Sequence, residues 1–209
     1  MMFNATVFMG VCVFVSCSAP RDELGQTDAY NAKQGEVHVV VAAPPTSEKG
    51  QRLWVCRGSS ILHGTNARGY RISIGKGAGK YTAADNQTLK DRNISGSNLT
   101  PLGEMRIRVK VGHSCGAGML ARCMKLSGIE DGVNENAQNR GIYIHGTNPR
   151  SYSKLGTSAS LGCIRMTESD VAVVYDQVNV GTKVFVNSKV VDNNDPCAFT
   201  GVGENGKAR

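Results

Sequence analysis

The sequence predicts a mostly β domain, a sandwich or barrel-like sheet, with one helix near its C-terminal end. Three observations carry this. Glu36-Val37-His38-Val39-Val40-Val41-Ala42 is rich in β-branched residues, which fit a pleated, buried surface. Met105, Ile107, Val109 and Val111 alternate with Glu104, Arg106, Arg108 and Lys110, the period-two pattern of a strand with one face in a core. Only Val171, Val174, Tyr175 and Val178 recur at convincing helical spacing.

The chain has 209 residues, enough for one domain with a sizeable core. Residues 1–19 stand outside that domain. Val7 to Val15 is an apolar run too short to span a bilayer and reads as an export signal. Phe14-Val15-Ser16-Cys17 resembles a lipoprotein processing site, so Cys17 is the expected lipid anchor in the membrane. A soluble secreted form or an uncleaved apolar N-terminus are the alternatives. Residues 20–35 are polar and read as a tether. The domain is expected over 36–187, with 188–209 a polar tail.

Within the domain, Glu36–Ala42 is the first strand. Leu53-Trp54-Val55-Cys56 is the next, and Arg57-Gly58-Ser59-Ser60 turns the chain into Ile61-Leu62-His63. Tyr70–Ile74 is a further strand, followed by the alternating strand at 104–111. Ile142-Tyr143-Ile144 is a short strand that delivers His145 at its end. Thr167-Glu168-Ser169-Asp170 can cap the helix that follows.

The formal charge is +7 and the pI about 9.1. A basic exported protein suits anionic polymers, peptide carboxylates and acidic lipids. Nucleic acid is not expected, because no recognition motif is present and aromatic residues are only 6% of the chain. Of seven cysteines, Cys12 and Cys17 fall in the leader. Cys56, Cys115, Cys123 and Cys197 allow three disulfide pairings, with a local Cys115–Cys123 bridge in a Gly-rich loop as the first choice. His113 with Cys115 and Cys123 matches no standard zinc spacing, so no metal is expected.

Two stretches imitate functional motifs. His63-Gly64-Thr65-Asn66 repeats His145-Gly146-Thr147-Asn148 without a thiol motif behind it, and reads as a turn. Gly75-Lys76-Gly77-Ala78-Gly79-Lys80 lacks the Gly and Ser/Thr that a phosphate loop requires, since Ile74 and Tyr81 stand there. It reads as a loop at the rim of the site. His38 lies among strand residues and reads as structural.

Cys163 is the candidate nucleophile. It sits in Ser160-Leu161-Gly162-Cys163-Ile164-Arg165-Met166, and Ile144-His145-Gly146-Thr147 lies upstream. A thiol attacks carbonyls well once a base takes its proton, and a distant His is the minimum partner. Gly162 supplies a backbone N–H with no side chain to crowd an incoming carbonyl.

These two segments resemble the catalytic motif of the L,D-transpeptidases (YkuD-like domain), which remodel bacterial peptidoglycan. Asn98-Leu99-Thr100-Pro101-Leu102-Gly103-Glu104 and Gly181-Thr182-Lys183-Val184-Phe185-Val186 resemble two further blocks of that family, in the same order. The family usually has His before the Gly-Cys; this chain has Leu161 there. The resemblance implies that Cys163 forms a thioester with a stem peptide and releases D-Ala. His145 is then the base, held by the Gly146 carbonyl. The oxyanion is held by N–H groups around Leu161, Gly162 and Cys163. Arg165 and Ser160 are the expected substrate contacts. The implied donor is a stem tetrapeptide, and the acceptor another stem's amine, a lipoprotein lysine or a D-amino acid. No cofactor, a monomer and a location in the periplasm or cell envelope are expected.

Two rivals remain. The same site with water as acceptor is a peptidoglycan carboxypeptidase or endopeptidase. A degenerate wall-binding protein is the second, favoured only by Leu161. A disulfide oxidoreductase is disfavoured because no CxxC occurs.

Overall fold

The computed structural model describes residues 35–44, 50–81, 88–113, 115–116, 118–188 and 195–198. The leader, Cys17 and nearly all of the tether lie outside them. The described residues all belong to the unit that starts at Gln34.

The domain is mostly β, as the residue pattern predicts. Its strands are β1 (Val37–Ala42), β2 (Arg52–Arg57), β3 (Ser60–Ile61), β4 (Tyr70–Arg71), β5 (Ile74–Gly75), β6 (Gly103–Val111), β7 (Leu120–Gly128), β8 (Tyr143–Gly146), β9 (Ser158–Ser160), β10 (Ile164–Met166) and β11 (Lys183–Asn187). The helices are α1 (Leu89–Asn93) and α2 (Glu168–Gln177). Nine strands form one mixed sheet in the order β10-β8-β7-β6-β11-β1-β2-β3, with β4 also on β2. β5 and β9 pair separately.

The sheet curls until its ends meet. β4 pairs with β2 through Arg52↔Arg71 and Leu53↔Tyr70. Two residues further on, Ser73 bridges Arg165 of β10, with Ser73 N to Arg165 O at 3.0 Å and Arg165 N to Ser73 O at 2.8 Å. One short segment therefore joins both ends of the strand order and closes a barrel-like wall. Its interior holds Val39 and Val41 of β1, Met105 and Ile107 of β6, and Ile144 of β8, all essentially inaccessible. Closure of this kind removes exposed strand edges.

The expected helix forms as α2. Thr167 caps it, its Oγ1 accepting from the Asp170 N–H at 3.0 Å, a contact of the kind worth about 1 kcal/mol. Val171 and Val174 are buried against the sheet, and Val178 closes the stripe just past the last turn.

Four of these strands and helices were not expected: α1, β7, β9 and β10. The loop predicted to hold both Cys115 and Cys123 holds only Cys115; Cys123 is a buried strand residue of β7 opposite Val111. A register shift between Leu120 and Met124 breaks the alternation there, so Cys123 and Met124 are buried in succession. The Tyr70–Ile74 strand is two short strands. Cys115 bonds Cys123, and Cys56 bonds Cys197 across 141 residues, which ties Pro196–Ala198 of the tail to β2.

Candidate active site

β8 and β10 run parallel and adjacent, with Ile164 opposite Ile144 and Arg165 opposite His145. Alternation puts Ile142, Ile144, Ile164 and Met166 into the core. The same alternation puts Tyr143, His145 and Arg165 on the opposite face, and Cys163 enters β10 on that side. Two residues distant in sequence thus become neighbours because one apolar register buries both strands.

His145 is only 2% exposed. Its Nδ1 lies 2.7 Å from the Gly146 carbonyl oxygen. A carbonyl only accepts, so Nδ1 carries the proton and Nε2 keeps its lone pair. Burial holds the imidazole down to about 4, with the Arg165 charge adding to this and the Gly146 bond opposing it. At neutral pH the ring is a neutral base with a fixed tautomer.

Cys163 is the free cysteine of the described residues and is half-buried. Its Sγ lies 3.4 Å from the Gly141 carbonyl oxygen. Burial pushes the thiol up, while the Tyr143 N–H, Arg165 and Arg140 pull it down. Burial thus favours the neutral form of both groups, a thiol and an imidazole.

The Ser160–Cys163 turn is held from below. Gly162 has φ +121, and a Cβ there would stand 2.9 Å from Ile142 Cδ1 and 3.3 Å from the Leu99 oxygen, so only glycine fits. The Ser160 hydroxyl donates to the Cys163 carbonyl at 2.5 Å and accepts from the Gly162 N–H at 3.1 Å. Gly162, expected among the oxyanion donors, therefore has its N–H committed to Ser160. Of the three-residue set this leaves the N–H groups of Leu161 and Cys163. Ser160, expected to touch substrate, is fully buried and shapes the turn. Leu161 is 61% exposed beside the thiol.

Arg165 reaches the Ala159 carbonyl at 3.5 Å with one terminal nitrogen, and its buried Nε has no hydrogen-bond partner among the described residues. It retains donors for an anion. The Gly75–Lys80 stretch does border the site: Gly75 belongs to β5, and the Lys76 N–H donates to the Ser160 carbonyl at 3.0 Å. His63 lies in an exposed turn, apart from the thiol motif.

Two residues escaped the sequence reading. Thr100 is fully buried, accepting from the Gly75 N–H at 2.8 Å and donating to the Gly162 carbonyl at 2.9 Å. It couples the Asn98–Gly103 block to the nucleophile turn. Arg140 donates to the Leu99 carbonyl at 2.6 Å and to the Arg92 carbonyl, which anchors a guanidinium under the thiol.

The family model for the L,D-transpeptidase catalytic domain, YkuD, matches residues 39–186. The chain belongs to the L,D-transpeptidase catalytic domain family. The match starts in β1 and ends in β11, so it includes both the His145 and the Cys163 segments.

Among solved structures, an L,D-transpeptidase from Mycobacterium smegmatis is 18% identical over 72% of this chain and 59% of its own, at a TM-score of 0.44. One from Mycobacterium tuberculosis H37Rv is 18% identical over 72% and 58%, also at 0.44. Bd1075 of Bdellovibrio bacteriovorus is 15% identical over 76% and 50%, at 0.46. The chain thus spans roughly three-fifths of the length of the first two. A search of curated protein sequences returned no match.

Proposed function

We propose that the protein is an L,D-transpeptidase that acts on peptidoglycan stem peptides through a Cys163 thioester. The observation that carries this is the pairing of a free, half-buried Cys163 with a buried, neutral, tautomer-fixed His145 on adjacent parallel strands. As Sγ attacks the scissile carbonyl, its proton passes to His145 Nε2. The tetrahedral oxyanion is received by the N–H groups of Leu161 and Cys163. The C–N bond then breaks, His145 returns the proton to the departing D-Ala amine, and a thioester remains. An incoming amine gives a proton to His145, attacks the thioester carbonyl and regenerates the thiol. Arg165, with donors to spare, takes a carboxylate of the stem peptide.

The protein acts in the cell envelope, outside the cytoplasm. Two disulfides support this, since such bonds persist in oxidising compartments. The apolar leader and Cys17 are its route of export and its lipid anchor.

The test is muropeptide profiling of purified sacculi incubated with the wild-type protein beside a Cys163→Ala form. New cross-linked or exchanged stems that depend on Cys163 are expected. Trimmed stems without new linkages would assign the site to a peptidase, and identical profiles for both forms would refute a Cys163 enzyme.

A further inference from the structure

A cation that the mechanism leaves unused lies two strands from the thiol. Lys125 of β7 pairs with Tyr143 of β8. Met124 and Leu126 on either side of it are buried in the core, so Lys125 and Tyr143 face outward with His145 and Arg165. Ile164 of β10 pairs with Ile144, which places Cys163 beside Tyr143, whose N–H acts on the thiol. On β6 the row continues with Val109, which pairs with Lys125 and is 43% exposed. One row across four strands therefore runs Cys163, Tyr143, Lys125, Val109.

The row carries a single charge. Lys125 Nζ lies 5.9 Å from the centroid of the Tyr143 ring, within reach of a cation–π contact. A Cβ on Gly141 would stand 3.8 Å from Tyr143 Cε2, and the Gly141 carbonyl oxygen lies 3.4 Å from Cys163 Sγ, so ring and thiol flank the same residue. Lys125 has no hydrogen bond or ion pair with any described residue. The carboxylates on neighbouring elements are engaged elsewhere: Glu104 with Arg106 at 3.4 Å, Asp176 with Arg122 at 4.0 Å, and Glu130 with the Glu104 N–H. The half-buried Lys125 ammonium therefore keeps its donors and its charge for a group from outside the chain.

The chemistry at the thiol selects which part of a substrate meets this row. His145 hands its proton to the departing amine, so that amine lies against the imidazole, where Arg165 stands opposite. The acyl group retained on Sγ extends away from that side. Tyr143 lies two residues before His145 on β8, and Lys125 lies beyond it. We infer that Lys125 holds a carboxylate carried by the retained acyl portion of the donor, whose chain rests over the Tyr143 ring. A carboxylate takes a charge-assisted hydrogen bond from the ammonium, and a neutral carboxamide takes a weaker one. Lys125 thus sets specificity on the acyl side, and Arg165 serves the leaving side. The assignment to the acyl side rests on the transpeptidase reading; the carboxylate preference beside Cys163 does not.

Two alkylating reagents test it on the full chain without a stem peptide: N-bromoacetyl-γ-aminobutyrate and its carboxamide. In each, the Cys163 sulfur displaces bromide to form a thioether, and the thiol proton passes to His145. Intact mass over a concentration series separates reagent binding from the alkylation rate, and peptide mapping locates the adduct on Cys163. The carboxylate reagent is expected to bind about tenfold more tightly at a similar maximal rate. Lys125→Gln should remove that preference and leave the carboxamide unchanged, whereas Lys125→Arg should keep it. Lys90→Gln, which removes the same charge from an exposed position on α1, should also keep it. Thermal unfolding reports whether each variant is folded, and Lys125→Met replaces Lys125→Gln if the latter is not. With a stem tetrapeptide, Lys125→Gln should raise KM about tenfold and change kcat little. If the wild type turns over no stem peptide, the transpeptidase reading falls and the reagent pair still decides the carboxylate preference. Equal binding of acid and amide by the wild type would overturn the inference. So would a preference unchanged in folded Lys125→Gln, one lost equally in Lys90→Gln, or a fall in kcat at unchanged KM.

Discussion

Replacing Thr100 with Val tests whether the nucleophile turn is held by a buried hydroxyl. The two side chains are nearly isosteric, so packing is conserved and only hydrogen bonding changes. Wild-type Oγ1 accepts from Gly75 N–H at 2.8 Å and donates to the Gly162 carbonyl at 2.9 Å, with Thr100 fully buried. Val leaves one donor and one acceptor without partners. Each such group costs about 1–3 kcal/mol, so partial relaxation gives a loss of about 2–4 kcal/mol. For a chain of this length that is a fall in Tm of roughly 4–16 °C. The Gly162 carbonyl belongs to the peptide that precedes Cys163, so the turn should also loosen around the thiol. One oxyanion donor is worth about 3 kcal/mol in the transition state, and partial misplacement should slow acylation about tenfold. Thr100→Ser retains both bonds, loses one methyl and should cost about 1 kcal/mol with little change in rate. Urea denaturation and the rate of Cys163 acylation measure the two effects. A Thr100→Val protein as stable and as fast as wild type would refute the reasoning.

Four further outcomes are expected. Because burial holds His145 at about 4, acylation should keep its pace from pH 7 to about 5 and fall tenfold per unit below about 4; a midpoint near 6.5 would contradict a buried neutral base. The same depression means that the unfolded chain takes up the proton first, so stability present above pH 6.5 is lost as pH falls toward 4, by roughly 3 kcal/mol, and urea denaturation of wild type beside His145→Asn isolates that share. Leu161→His should change turnover by less than about tenfold, because the backbone N–H is unchanged and the 61% exposed side chain makes no hydrogen bond; a larger gain, about 1.4 kcal/mol or more, would show the wild-type site to be impaired. A carbapenem should form one covalent adduct on Cys163, and intact-mass spectra with no adduct, or one mapped elsewhere, would count against an activated thiol.

The legible parts of the fold and site share one property: their information is local. A β-branched run and clean alternation locate β1 and β6, and a cap with a 3.6-residue stripe locates α2, because each rests on side-chain identity at short spacing. Cys163 and His145 stand out for the same reason. β7 was hidden because a register shift breaks its alternation, and α1 because five residues carry too little periodicity. Thr100 and Arg140 act on carbonyls 62 and 41 positions away, so nothing beside them in sequence marks their roles. The available cue for Thr100 was its place in the Asn98–Gly103 block. For Arg140 it was a lone cation leading into the apolar strand that ends at His145. Gly162 was read as sparing an incoming carbonyl a side chain; that a Cβ there would meet Ile142 and Leu99, and that its N–H is consumed by Ser160, is visible only once the turn is closed.

The most direct test of the central claim is to trap the acyl-enzyme. The full chain is mixed with a purified stem tetrapeptide, quenched in acid, and examined by intact mass and peptide mapping. The account predicts a mass increase equal to the tetrapeptide less its terminal D-Ala, mapped to Cys163, labile to hydroxylamine, and lost in Cys163→Ala and His145→Ala. An adduct on another residue, or release of D-Ala that persists in folded Cys163→Ala, would contradict it.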